Sequence, residues 1–125
     1  METRIIIAGS RTFNRYSYAE NKILQYIAEN GINFSDIVVV SGCADGADKI
    51  GELFAQKHNI KVKKFPADWE KYGKTAGFIR NEQMANFALL ENGILIAFWD
   101  GKSSGTKHMI QTARNKGIAV KVIIV

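Results

Sequence analysis

Five short apolar runs, rich in β-branched residues, punctuate this chain: Arg4–Ala8, Ile37–Val40, Val62–Phe65, Ile94–Phe98 and Ala119–Val125. Most are apolar without a break, the pattern of strands buried on both faces of a parallel sheet. Val62–Phe65 departs from it, because Lys61, Lys63 and Lys64 are the charges of an exposed edge strand. Between the runs, four segments carry helical spacing: Tyr18–Asn30, Gly46–Asn59, Gly77–Glu91 and Thr106–Lys116. Ile23, Tyr26 and Ile27 form an i, i+3, i+4 stripe in the first, and Ala47, Ile50, Leu53 and Phe54 do so in the second. Gly31, Gly93 and Gly117 fall just past three helix ends and Asn59 past the fourth, where a left-handed residue closes a helix. Asp45 fits an N-cap and Asp48 a first-turn carboxylate.

This alternation predicts a Rossmann-like three-layer α/β sandwich, a five-stranded parallel sheet with four helices and right-handed crossovers. The expected strand order is 3-2-1-4-5. It reverses direction between strands one and four, and ligands of open α/β sheets bind in the crevice there. At 125 residues the chain reads as one domain, residues 1–125. The piece from Pro66 to about Ala76 reads as an irregular loop, long enough in so small a domain to be a functional candidate.

Composition narrows the setting. A hydrophobic share of 46% and a charged share of 23% belong to an ordinary folded domain. No apolar run approaches the roughly 20 residues that cross a bilayer. Met1–Arg4 passes straight into Ile5-Ile6-Ile7, without the pattern of a leader peptide. The lone Cys43 allows no internal disulfide. A cytoplasmic chain without a membrane partner is expected. The net charge of +5 accommodates anionic ligands, but its basic residues are scattered. Their densest cluster, Lys61, Lys63 and Lys64, serves a solvated edge or a nucleic-acid patch.

The strand order brings three loops together, although they lie far apart in sequence. They are Gly9-Ser10-Arg11 after strand one, Ser41-Gly42 through Asp48 after strand two, and Trp99 through Thr106 after strand four. Glycines admit a ligand close to backbone amides, and helix N-termini supply unpaired N–H donors with partial positive charge. Ser103, Ser104 and Thr106 add hydroxyls beside Gly101 and Gly105, so the loops together read as a phosphate cradle. Each piece alone has a plainer use: a tight turn for the glycines, a helix cap for Ser104 or Thr106, a dipole partner for Asp48. Neither GxGxxG nor GxxxxGK[ST] occurs, which counts against ordinary dinucleotide and NTPase sites.

Arg80 stands near the start of the third helix, where a cation opposes the helix dipole. It shares a face with Met84 and Phe87 and therefore leans toward the core. Such a cation needs an anionic partner, either Asp48, Asp100 or a ligand phosphate. Arg11 has the same alternatives. Trp69, Tyr72 and Trp99 flank the loops, as core residues or as stacking surfaces for a base. Cys43 reads as a small packed residue and His58 as a solvated helix end, while His108 faces ligand or solvent. No metal-ligand spacing occurs, and no metal is expected.

These segments together resemble a known family. Gly9-Ser10-Arg11, Ser41-Gly42 with Gly46-Ala47-Asp48, and Ala67-Asp68-Trp69 carry the first part of the resemblance. Ala76-Gly77 with Ile79-Arg80-Asn81 and Met84, and Phe98-Trp99-Asp100-Gly101 with Ser104-Gly105-Thr106, carry the rest. The set is similar to the YspA-related branch of the SLOG superfamily, which gathers Smf/DprA-like and Lonely Guy-like Rossmannoid domains, and it runs over essentially the whole chain. The resemblance implies a pocket for a nucleotide or nucleotide-derived molecule, a bacterial or phage setting, and homo-oligomers. Arg80 with Met84 resembles the Arg-Lys-x-x-Met segment of the Lonely Guy enzymes, with Asn81 in place of the lysine. Gly105-Thr106 resembles the end of their Pro-Gly-Gly-x-Gly-Thr phosphate loop.

Two departures matter. Lys102-Ser103 replaces the doubled glycine, and the enzymes' glutamate falls here on Met109, which has no acid–base capacity. Asp45, Asp48 and Asp100 are the carboxylates left to substitute for it. The expectation is binding or sensing of a nucleotide-derived ligand at the carboxyl edge of the sheet, with no resident cofactor established. The alternatives are a phosphoribohydrolase-like enzyme, with unknown catalytic residues, and a binder of single-stranded nucleic acid.

Overall fold

The computed structural model describes all 125 residues. Five parallel strands, β1 (Thr3–Gly9), β2 (Ile37–Ser41), β3 (Lys61–Lys64), β4 (Asn92–Trp99) and β5 (Ala119–Ile124), form one sheet in the order β3-β2-β1-β4-β5. The expected topology is the observed one. The central pairing is the longest: β1 runs beside β4 from Thr3 opposite Asn92 to Gly9 opposite Phe98.

Successive residues of a strand face opposite sides of a sheet, and here that alternation sorts the core into two layers. Ile5, Ile7, Val39, Ile94, Ile96 and Phe98 point to one side, with Ile23 and Ile27 of α1 (Tyr16–Glu29) and Ile50 and Phe54 of α2 (Ala47–Lys57). Ile6, Ala8, Val40, Leu95 and Ala97 point to the other. They meet Met84, Ala85 and Ala88 of α4 (Ala76–Leu89) and Met109, Ile110 and Ala113 of α5 (Ser104–Asn115). Burying such side chains stabilises the fold by roughly 1.5–3 kcal/mol apiece.

Both edges differ from the centre. β3 is exposed through Lys61, Lys63 and Lys64, as its lysines predict. β5, expected to be buried on both faces, buries only Ile123 fully, because nothing pairs beyond it. The Pro66–Ala76 segment is more ordered than a loop. The Asp68 carboxylate accepts from the Lys71 amide at 3.1 Å and caps a single turn, α3 (Trp69–Tyr72), which a short 3-10 turn joins to α4.

Helix ends corrected three readings. Gly31, Asn59 and Gly117 are left-handed as expected, but Gly93 is not. It lies in β4, where a Cβ would stand 2.7 Å from the Ala88 carbonyl oxygen, so close packing is its reason. The α2 N-cap is Gly46, one residue after Asp45, and no side chain caps it. His58, read as a solvated helix end, is half-buried, bonded to Glu20 at 3.0 Å and packed on the Phe54 ring.

The carboxyl end of the central pair leaves no space at Gly9. A Cβ there would sit 2.1 Å from the Phe98 carbonyl oxygen. Gly9→Ala is therefore expected to prise β1 from β4 and cost about 3 kcal/mol. The fall would appear in the urea midpoint at constant slope; an unchanged midpoint would show that the strands separate freely.

Candidate functional site

The three loops do converge, and Ser10 is what joins them. Its amide donates to Phe98 O at 2.9 Å, prolonging the β1–β4 pairing by one residue. Its hydroxyl accepts from the Asp100 amide at 3.1 Å, which fixes the loop after β4. Its carbonyl accepts from the Ala47 amide at 3.3 Å, which fixes the start of α2. Gly46 makes that last contact possible, since a Cβ there would stand 2.2 Å from Ser10 O.

The loop after β2 carries an unusual charge arrangement. Arg80, half-buried on α4, donates from Nη1 to the Gly42 carbonyl and from Nε to Asn81 Oδ1 at 3.1 Å. Asp48, buried on the first turn of α2, accepts the Ala44 amide on Oδ2 at 3.2 Å. A Cβ on Gly42 would lie 2.6 Å from Arg80 Nη1 and 2.7 Å from Asp48 Oδ2, so the glycine stands between cation and carboxylate. They attract each other but make no ion pair within 4.0 Å, and neither does Arg80 with Asp100. The direct partners of Arg80 are thus the Gly42 carbonyl and Asn81, with Asp48 acting on it at longer range and Asp100 not at all. Burial pushes the Asp48 carboxyl up to about 6, against the pull of the Ala44 amide and the Arg80 charge. Burial also lowers the Arg80 pKa from its ordinary value, with Asp48 opposing.

Asn81 connects this pair to the third loop. Its Nδ2 donates to Gly105 O at 3.2 Å and lies 3.2 Å from His108 Nδ1. With Nδ1 accepting, the neutral His108 carries its proton on Nε2. Burial holds the His108 pKa below the usual histidine range, and its ring stacks on Phe78 at 4.3 Å. His108 is therefore packed against α4 instead of being committed to ligand or solvent.

Asp100 builds the turn before α5. Its Oδ1 accepts from the Ser103 and Lys102 amides, both at 2.8 Å, and those bonds hold the carboxyl below the usual range. Ser103 occupies the N-cap of α5, yet its side chain makes no cap bond and its Oγ lies 3.3 Å from Thr106 Oγ1. The first amides of α5 are left open at a positively polarised helix end.

Two neighbouring hollows, with lining residues in common, occupy this edge. An inner one of about 70 Å³ is lined by Gly9, Asp48, Asn81, Ser103, Gly105 and Thr106, with Ala8, Met84 and Met109 around them. An outer one of about 410 Å³ is lined by Gly42, Cys43, Asp45, Pro66, Ala67 and Trp69. Arg11, Ala44 and Arg80 border both. Another depression, about 470 Å³, lies between Met1 and Glu91 at the opposite end of the strands, away from the three loops.

Of the sequence-predicted residues, Gly9, Arg11, Gly42, Asp48, Arg80, Asn81, Ser103, Gly105 and Thr106 meet at these hollows. Ser10 is buried behind them, while Gly101 and Ser104 are exposed and line neither. Among the aromatics, Trp69 is 51% exposed on the outer wall. Trp99 is half-buried and donates to Ser103 O at 3.1 Å. Cys43 is not simply packed: it stands at the outer rim with φ of 65°. The Ala44 amide and Ala67 have no side-chain signature that would have marked them for this site.

The comparisons with known proteins agree with this architecture. The chain belongs to the YspA, cpYpsA-related SLOG family, whose sequence model matches residues 3–72. The Gene 61 protein of Mycobacterium phage D29 is 31% identical over 122 residues, which span 94% of this chain and 93% of that protein. Among solved structures, DNA processing protein A (DprA) from Streptococcus pneumoniae superposes with a TM-score of 0.74 at 16% identity. That likeness is one of fold. It takes in all of this chain, which spans about half (51%) of the DprA chain.

The raised Asp48 pKa has a signed consequence for stability. Between the ordinary carboxyl value of 3.8 and about 6, the folded chain holds a proton that the unfolded chain has released. Stability therefore falls as pH rises through that window, by up to about 3 kcal/mol. Asp48→Asn is expected to remove this fall and to be the more stable protein at pH 7, with the gap closing near pH 4. Urea titrations of both proteins at the two pH values check it, and parallel pH profiles would refute it.

Proposed function

We propose that the chain binds a nucleotide or nucleotide-derived ligand in the crevice at the carboxyl ends of β1, β2 and β4. One observation carries the reading: two guanidinium groups, Arg11 and Arg80, border a hollow at the open N-terminus of α5 with no carboxylate within ion-pair distance of either. Guanidinium forks and helix N-terminal amides are complementary to phosphate oxygens. Trp69 gives the adjoining, larger hollow an aromatic wall of the kind on which a base stacks. Membership of the SLOG family supports the same class of ligand.

The test is a thermal-shift panel of mononucleotides, cyclic nucleotides and ADP-ribose at millimolar concentration. A ligand at 100 times its Kd stabilises by about 2.7 kcal/mol. Arg11→Ala, at an exposed position, is expected to lose most of that gain while leaving the unliganded Tm within a degree or two. A flat response to every compound would reject the reading.

A processing activity is the second reading, and Asp48 favours it. Of the three candidate carboxylates, Asp100 is exposed and committed to its turn, and Asp45 is exposed at the outer rim. Asp48 alone lines the inner hollow with a pKa near neutrality, as general acid–base chemistry requires. Release of free base from nucleoside monophosphates, abolished by Asp48→Asn, is the expected signature of such an enzyme. Turnover that survives this substitution would place the acid elsewhere. A nucleic-acid role has less support, because the Lys61, Lys63 and Lys64 cluster lies along β3 and Lys64 is 3.8 Å from Glu52.

A further inference from the structure

Asp48 is 95% buried by its 5% exposure, and the only hydrogen bond its carboxylate receives is the Ala44 amide on Oδ2. No fully buried side-chain oxygen lacks a partner, so the unbonded Oδ1 retains an accessible face. The hollow of about 70 Å³ is the opening that Asp48 lines. A carboxylate oxygen therefore faces the same small space as the Thr106 and Ser103 hydroxyls and the Gly105 end of α5.

That combination is selective. A phosphate pressed against Asp48 would meet like charge, so the phosphate belongs toward Arg11 and the α5 amides. A hydrogen-bond donor must face Asp48. About 70 Å³ holds a few heavy atoms, enough for a pair of hydroxyl groups but for neither a base nor a whole sugar ring, and the outer hollow beside Trp69 has the room for rings. The part of a nucleotide that lies between phosphate and base, and donates hydrogen bonds, is its sugar. Carboxylates are the groups that take ribose hydroxyls in doubly wound nucleotide sites.

Building on the nucleotide reading above, we infer that Asp48 accepts the vicinal hydroxyls of a ribose, making the crevice selective for ribonucleotides over deoxyribonucleotides. A hydrogen bond to a charged group contributes about 1.5–3 kcal/mol, which is about 10- to 100-fold in affinity. Gly42 makes room for this arrangement, since a Cβ there would collide with both Arg80 Nη1 and Asp48 Oδ2.

The experiment titrates the full chain by calorimetry at pH 7.5 with the four 5′-ribonucleoside monophosphates and their four 2′-deoxy counterparts. At least one ribonucleotide is expected to bind 10-fold or more tightly than its deoxy partner. In Asp48→Asn, a near-isosteric change, the preference is expected to shrink to within about 3-fold, mainly through weaker ribonucleotide binding. Equal binding of both series, reduced by Arg11→Ala, would overturn the sugar assignment and leave the nucleotide site standing. Discrimination that persists in Asp48→Asn would also overturn it. Binding of neither series would remove this inference together with the mononucleotide reading beneath it.

Discussion

The geometry of the crevice depends on Ser10. One residue past the end of β1, it spends its amide, hydroxyl and carbonyl on three different segments: Phe98 of β4, Asp100 of the loop that follows, and Ala47 at the head of α2. With 3% exposure it is shielded from the water that would otherwise compete for these bonds. Two glycines, Gly9 and Gly46, permit the approach, because either would drive a Cβ into a backbone carbonyl. Remove this junction and the three loops have no common reference. The polar atoms that line the hollows are precise only because their supports converge on one buried residue.

Much of this was legible in the sequence. Unbroken apolar runs marked the inner strands, and alternating units with a reversal after the third strand led to the order 3-2-1-4-5. The strand order in turn predicted which distant loops would meet. What escaped was local. Asp45 has the chemistry of a helix cap, but the close approach of Ser10 O needs a residue without Cβ, and the cap falls on Gly46. The structural alternative to a ligand phosphate for Arg80 was sought among carboxylates, but its hydrogen bond goes to a carbonyl, a group present at every residue and so invisible to pattern. Ser10 itself was counted as a ligand contact, yet its atoms are consumed by the scaffold. Cys43 gave no sign of its left-handed backbone, because tertiary constraints impose it.

The electrostatic design follows from one missing side chain. Gly42 leaves room for a cation and a carboxylate on either side of it, which attract each other without a direct ion pair. Burial then acts on both, raising the Asp48 pKa and lowering that of Arg80. Asn81 carries the arrangement further, receiving from Arg80 and donating to the first turn of α5. The cation that borders both hollows and the helix end that lines the inner one are thereby positioned by one amide.

The tryptophans have a consequence of a different kind. The chain has two, Trp69 on the outer wall and Trp99 at the end of β4, tied to Ser103. Both stand at the same edge of the sheet, and no third indole sits in the core to dilute them. With excitation confined to the indoles, the emission of this protein thus comes from this one edge of the sheet. Trp69 supplies a water-exposed, red-shifted component and Trp99 a more sheltered one. An occupant that lies against the outer wall would announce itself in the protein's own light, without a label.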